Sequence, residues 1–193
     1  MSSAAFAYES GTAYYIDSAS GSDDNDGKSA ETAWKTIGRA SQNSYSEGDR
    51  ILLKCGETFS GTFVASGSGS KNNPITVSSY GEGAKPVICG EDGGFIMVIF
   101  NVNGWCIENL GFTSPNGFGV LIAAVQNGNT ENITFRNCDF YDISPDGTST
   151  SNAAVSVNND NSSSRIRNIH FDSLSFQNVA WAIHTNGINA ETQ

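Results

Sequence analysis

"NITFRNCDF", residues 132–140, alternates as a half-buried strand at Ile133 and Phe135. It then places Asn137 where the next apolar residue is due and resumes at Cys138 and Phe140 on the opposite parity. An amide in line with core residues implies a one-residue corner between two strands. Two further copies of the pattern support that reading. "WCIENLGF" (105–112) and "IHFDSLSF" (169–176) share its register: Trp105, Ile133 and Ile169 align, then Ile107, Phe135 and Phe171, then Asn109, Asn137 and Ser173. Leu110, Cys138 and Leu174 follow, and Phe112, Phe140 and Phe176 close the unit. A repeated unit too small to bury its own apolar face indicates stacked coils.

The intervals are unequal: 28 residues separate Phe112 from Phe140, and 36 separate Phe140 from Phe176. The excess lies in polar loops. TSPNGFG and QNGNTEN serve the first interval, YDISPDGTSTSNA and DNSSSRIRN the second. A solenoid tolerates this, because coil registry depends on the strands while loops project into water.

Composition agrees with an all-β solenoid. Glycine is abundant (21 residues), only 16% of residues are charged, and no helical apolar period persists beyond two or three turns. A chain of 193 residues is expected to form one domain. It divides into a leader (1–13), an amino-terminal cap (14–49) and the coils (50–193). No apolar run reaches 18 residues, so no membrane span is expected. The net charge of −10, with no Lys/Arg cluster, argues against a nucleic-acid partner. Cys55, Cys89, Cys106 and Cys138 show no metal spacing and read as free thiols in apolar strands. Cys106, between Trp105 and Ile107, points outward and is the one expected to be modifiable. "AAFA" at residues 4–7 can be the tail of a secretory signal.

The cap has its own order. A strand, Tyr14 to Asp17, leads to an acidic glycine loop. Ser29, Glu31 or Thr32 then caps a helix through Trp34, Ile37 and Ala40, and Gly48-Asp49 turns into the strand Arg50 to Cys55. "GSDDNDGKSAETAWKTI", "GDRILLKCGETFSG" and "NPITVSSYGEGAKPVICG" resemble the amino-terminal half of secreted right-handed parallel β-helix proteins of the pectate-lyase-like superfamily, and the resemblance extends over residues 14 to 190. It implies an extracellular, polysaccharide-directed protein, although that architecture also hosts non-catalytic adhesins. The "PITV…PVI" stretch is most similar to the first coils of uronate-cleaving lyases, whose catalytic Lys and Arg have no match here.

The resemblance also implies that Asn109 and Asn137 occupy the corner between the second and third sheets, their amides buried and satisfying corner backbone, with Ser173 weakening the ladder. The next strands, Val120–Val125, Ala154–Asn159 and Ala182–Gly187, then form the first sheet, where family members bind sugar chains. Asn158, Asp160, His184 and Asn186 are the candidate substrate-binding residues there, with Arg165 and Arg167 as the nearest cations. His184 beside Asp160 reads either as a general base or as an exposed residue ending a strand. His170 points away from that groove. Glu108, Arg136 and Asp172 align as a column of alternating charge on the second sheet, a surface ion ladder of little energetic weight.

Two readings also stand for "SDDNDG" (22–27): the start of a calcium loop with Asp24 and Asp26 as ligands, or an Asx/Gly turn, since the twelfth position is Ala33 in place of a bidentate Glu. Three function classes follow: the amino-terminal part of a polysaccharide lyase or glycoside hydrolase, a carbohydrate-binding or adhesive β-helix, and a structural spacer. "NAETQ" (189–193) is too short and polar to cover Phe171, Phe176, Trp181 and Ile183, so end-to-end self-association through an uncapped last coil is expected.

Overall fold

In the computed structural model, which describes residues 11–144 and 153–187, the chain climbs through stacked coils of three strands. A leading strand, β1 (Ala13–Ile16), passes through helix α1 (Ile37–Ser41) and β2 (Tyr45–Ser46) into the first coil, β3 (Arg50–Lys54), β4 (Thr58–Ser60) and β5 (Phe63–Val64). After β6 (Gly67–Ser68) the second coil is β7 (Ile75–Tyr80), β8 (Val87–Cys89) and β9 (Phe95–Phe100). The third is β10 (Asn103–Glu108), β11 (Gly111–Ser114) and β12 (Phe118–Ala124), and the fourth β13 (Asn129–Arg136), β14 (Asp139–Ile143) and β15 (Ala153–Asn159). The fifth is β16 (Arg165–Asp172), β17 (Ser175–Val179) and β18 (Trp181–Asn186). Equivalent strands pair in parallel. They build a first sheet (β5-β9-β12-β15-β18), a second (β1-β3-β7-β10-β13-β16) and a third (β4-β8-β11-β14-β17). The fold is a right-handed parallel β-helix with a short helical cap, as the repeat predicts.

The aligned apolar residues meet inside. Trp105, Ile133 and Ile169 are register partners, as are Phe112, Phe140 and Phe176. The three phenylalanines form a continuous stack, with centroids 4.9 and 5.2 Å apart and near-parallel rings. One side chain per coil at each level fills the interior, so each coil completes its neighbour's core.

The corners behave differently from the expectation of buried amides. Asn109, Asn137 and Ser173 have φ of 60°, 50° and 55°, the left-handed region that asparagine enters at lower cost than most residues. The Asn109 and Asn137 backbone N–H groups donate to Arg136 and Asp172 carbonyls of the next coil (3.2 and 2.9 Å). Corner backbone is thus already paired, and the side chains turn outward: Asn137 is exposed and Asn109 half-buried. They still form a ladder, Asn137 Nδ2 donating to Asn109 Oδ1 (2.8 Å) and Asn109 Nδ2 to Ser78 Oγ (3.3 Å). Ser173 ends it, its hydroxyl turned to Asp172.

A second amide ladder, unforeseen, explains a boundary error. Asn132 and Asn168 (φ 56° and 54°) are left-handed kinks within β13 and β16, aligned with Gly104 (φ 66°) in β10 without a shift of register. Asn168 Nδ2 donates to Asn132 Oδ1 (3.0 Å), and Asn132 Nδ2 to Asn103 Oδ1 (2.7 Å). Each kink breaks the two-residue alternation. The first residues of β13 and β16 therefore read as the ends of the loops QNGNTEN and DNSSSRIRN.

The cap also departs from the expectation. Trp34 lies outside the helix, in a bridge with Ile16, because its N–H and carbonyl pair with the Tyr15 carbonyl and the Asp17 N–H (both 2.9 Å). Only Ile37–Ser41 is helical, capped by Thr36, whose hydroxyl accepts from the Arg39 N–H (3.0 Å). Trp34 stacks on Tyr14 (5.2 Å) under the Arg39 guanidinium. Asp17, 4% exposed, fastens this layer to the first coil: it accepts from Lys54 Nζ (2.6 Å) and from the Ala19 and Ser20 N–H groups. In the fifth coil, Trp181 and Ile183 are 48% and 38% exposed, and β16, β17 and β18 are the outer members of their sheets. The residues after Gly187 lie outside the described structure.

Two outcomes test this account. Asn137→Gly should lie within about 1 kcal/mol of the parent in urea unfolding, whereas Asn137→Val should cost roughly 1–3 kcal/mol through left-handed strain; equal costs would remove the conformational explanation. Burial alone would raise the Asp17 pKa, but the bonds from Lys54 and the Ser20 N–H outweigh it and hold it below the usual value. Its stabilisation is therefore complete above the unfolded value of about 3.9 and is lost as pH falls through the lower folded value. The melting-temperature gap between parent and Asp17→Asn should close below about pH 4.

Candidate functional site

Register places the outward side chains of the first sheet in two rows across the coils. Val98, Leu121, Ser156 and His184 form one; Phe100, Ala123, Asn158 and Asn186 form the other. Their alternating neighbours Ile99, Val120, Ile122, Ala124 and Val155 point into the core. Asn158, His184 and Asn186 thus share one face, with Ser156 opposite His184 and Asn158 opposite Asn186 at a coil step of about 4.8 Å. Ser156 Oγ and Asn158 Oδ1 are buried atoms without a hydrogen-bond partner among the described residues, and Ser156 is 2% exposed. Such oxygens are costly to bury unpaired.

Asp160 stands apart from this face. It follows β15, where Oδ2 accepts from the Gln126 N–H (2.8 Å) and Oδ1 from the Ser164 hydroxyl (2.6 Å). The Ser164 and Gln126 bonds hold its pKa below the usual carboxylate range. It secures the corner at Gln126 and Asn127, both at positive φ. Arg165 and Arg167 lie on β16 in the second sheet, away from the first-sheet groove where the sequence had placed them.

Sequence reading missed Phe100, which is 41% exposed in the second row. It lies in "FIMVIF", an unbroken apolar run in which no alternation separates inner from outer residues. Pairing with Ala123 settles its direction. Phe95 and Phe118 add an aromatic pair at the start of β9 and β12 (5.0 Å).

On the second sheet the charge column forms as expected, Arg136 Nη1 lying 4.0 Å from Glu108 and Nε 3.3 Å from Asp172. Exposure leaves it little energetic weight. Cys106 faces outward beside Glu108 (3.8 Å). Burial and then the Glu108 charge push its thiol up to about 11, which suppresses the reactive thiolate at neutral pH, contrary to the expectation of ready modification.

The acidic loop turns its carboxylates onto its own chain. Asp23 accepts from the Lys35 and Thr36 N–H groups (2.8 and 2.9 Å), and Asp26 from the Lys28 N–H (3.0 Å) and the Thr32 hydroxyl (2.7 Å). Asp24 and Asp26 do not converge with a third metal-capable side chain among the described residues. At Asp26 the bond from the Lys28 N–H is that of an Asx turn, while Asp23 ties the loop to the start of the helix.

No family model matches the sequence. A segment of 85 residues, 41% of this chain, is 36% identical to a lacto-N-biosidase of Bifidobacterium longum subsp. longum, and spans 5% of that protein. The crystal structure of the GH136 lacto-N-biosidase from Eubacterium ramulus superimposes with a TM-score of 0.73 at 20% identity, over 86% of this chain and 34% of that one. At that identity the likeness bears on fold, and it agrees with the β-helix. An alginate lyase from Paenibacillus sp. str. FPU-7 aligns with a TM-score of 0.43 and 18% identity, too low to bear on either fold or activity.

Millimolar calcium should leave the melting temperature unchanged; a rise reversed by Asp24→Ala or Asp26→Ala would show that the loop rearranges into a metal site.

Proposed function

We infer that this chain is a segment of a carbohydrate-active β-helix protein that holds a glycan along the outer face of its first sheet. The row Phe100, Ala123, Asn158 and Asn186 carries the reading. A pyranose has an apolar ring face and an equatorial rim of hydroxyls. A small residue flanked by an exposed aromatic ring and amides suits both, since an aromatic face packs against C–H groups while amides donate and accept. His184 lies in the adjacent row. The lacto-N-biosidase similarities support a glycan in place of another polar ligand, and a glycan of that kind makes an extracellular setting part of the same proposal.

Cleavage is a separate matter. Glycoside hydrolysis commonly needs two carboxyl groups flanking the bond, roughly 5–10 Å apart. Strands β9, β12, β15 and β18 carry no Asp or Glu. The described surface is therefore assigned binding, and hydrolysis of glycoside-hydrolase type is proposed for the longer proteins it resembles. A non-catalytic binding module would use the same face.

Titration of the isotopically labelled chain with lacto-N-biose and with neutral xylo-oligosaccharides should move amide resonances of β9, β12, β15 and β18. Phe100→Ala should weaken the interaction about fivefold, equivalent to a contribution of about 1 kcal/mol from the ring. Unmoved first-sheet resonances across a panel that also includes alginate, pectate and chondroitin oligomers would sink the reading.

A further inference from the structure

The second sheet carries a feature that the first-sheet reading leaves unused. Register places Arg50, Thr76, Cys106, Thr134 and His170 in one outward column, one residue per coil. Its three middle members are small and half-buried, and its ends, Arg50 and His170, are exposed. Taller groups flank it: Lys71, Pro74 and Asn132 on one side, Arg136 on the other. The result is a trough of about 240 Å³ that runs from Lys71 and Pro74, beside β7, to His170 on β16, three coil steps of about 4.8 Å.

Charge on this face departs from that of the whole chain. Of ten Lys and Arg residues in a chain of net charge −10, six lie on or beside this sheet; Lys54 is taken up by Asp17 and Glu57, leaving Arg50, Lys71, Arg136, Arg165 and Arg167. Three carboxylates oppose them, Glu108, Glu131 and Asp172, and two of these are turned to Arg136. Lys71, Arg165 and Arg167 make no ion pair among the described residues. The Asn132 amide is consumed by the ladder, accepting from Asn168 and donating to Asn103. What the trough offers a ligand is donors: the Lys71 ammonium, the His170 imidazole, the Thr134 hydroxyl and the remaining guanidinium N–H groups of Arg136.

We propose that the second-sheet trough is a binding site for a linear, carboxylate-bearing glycan, distinct from the first-sheet face. Length decides for a chain over a single small anion, since donors are spread over several coils. A surplus of two cations in an otherwise acidic protein is far short of the footprint nucleic acid demands. Spaced carboxylates fit: each gains charge-assisted hydrogen bonds at one coil while the sugar ring spans the small residues of the floor. The proposal rests on the carbohydrate reading only in taking the ligand to be a sugar.

The test uses the labelled full chain with two probes of equal length, tetragalacturonate and its fully methyl-esterified form. The acid should shift amides of Thr76, Cys106, Thr134 and His170 and bind at least tenfold more tightly than the ester. Lys71→Gln combined with His170→Gln, both exposed positions that leave the core intact, should remove most of that difference. Equal affinity for acid and ester would overturn the proposal, as would shifts confined to the first sheet; the latter leaves the first-sheet reading standing. Silence of both sheets with these probes, lacto-N-biose and the xylo-oligosaccharides would overturn both readings.

Discussion

Parallel stacking demands that every coil turn its corners at the same residue, because one slipped corner would reverse the facing of the strand that follows. The chain meets this demand with residues held at positive φ. Asn109 and Asn137 turn the second sheet into the third, Asn101 and the Gln126-Asn127 pair turn the first into the second, and Asn132 and Asn168 bend the second-sheet strands from within. A residue at positive φ shortens a corner to a single position, so inward parity resumes at once on the far side. Trp105, Ile107, Leu110 and Phe112 can then all face one interior from two sheets. The phenylalanine stack and the outward rows follow from that registry.

Backbone bonding around the corners leaves the side chains with a secondary task. Corner N–H groups pair with the next coil, so the amides join one another outside the barrel, Asn137 to Asn109 and Asn168 to Asn132. Such exposed ladders add little energy each. Their contribution is to favour asparagine over other residues where the left-handed conformation is required. Asp142 and Asn178 repeat the arrangement in the third sheet, with φ of 50° and 51° and a 2.6 Å bond between their side chains.

The same registry divides the surface chemically. Outward positions of the first sheet hold an aromatic ring, amides and small apolar groups. Those of the second, with Lys71 beside them, hold six of the chain's cations around a floor of threonine and cysteine. Two faces of one solenoid thus differ in chemistry, and the two proposed ligand surfaces rest on that difference. Asp160 belongs to neither, because its oxygens are occupied at the corner between them.

The sequence by itself determined the coil, its register and the contents of its core. Apolar spacing in "WCIENLGF", "NITFRNCDF" and "IHFDSLSF" is a local pattern, and stacking copies it directly into three dimensions. It also brought Asn158, His184 and Asn186 to one face, since strand alternation assigns direction. Where the backbone leaves that alternation, the pattern lost its meaning. Left-handed kinks at Asn132 and Asn168 hid the starts of two strands and misplaced Arg165 and Arg167. The all-apolar run 95–100 concealed the outward Phe100, and the Trp34 bridge to Ile16 displaced the helix start. Only tertiary structure decided these points, because each depends on which backbone groups of a neighbouring coil are available for pairing. Both proposed ligand faces were undefined until that pairing set which side chains stand next to each other across coils.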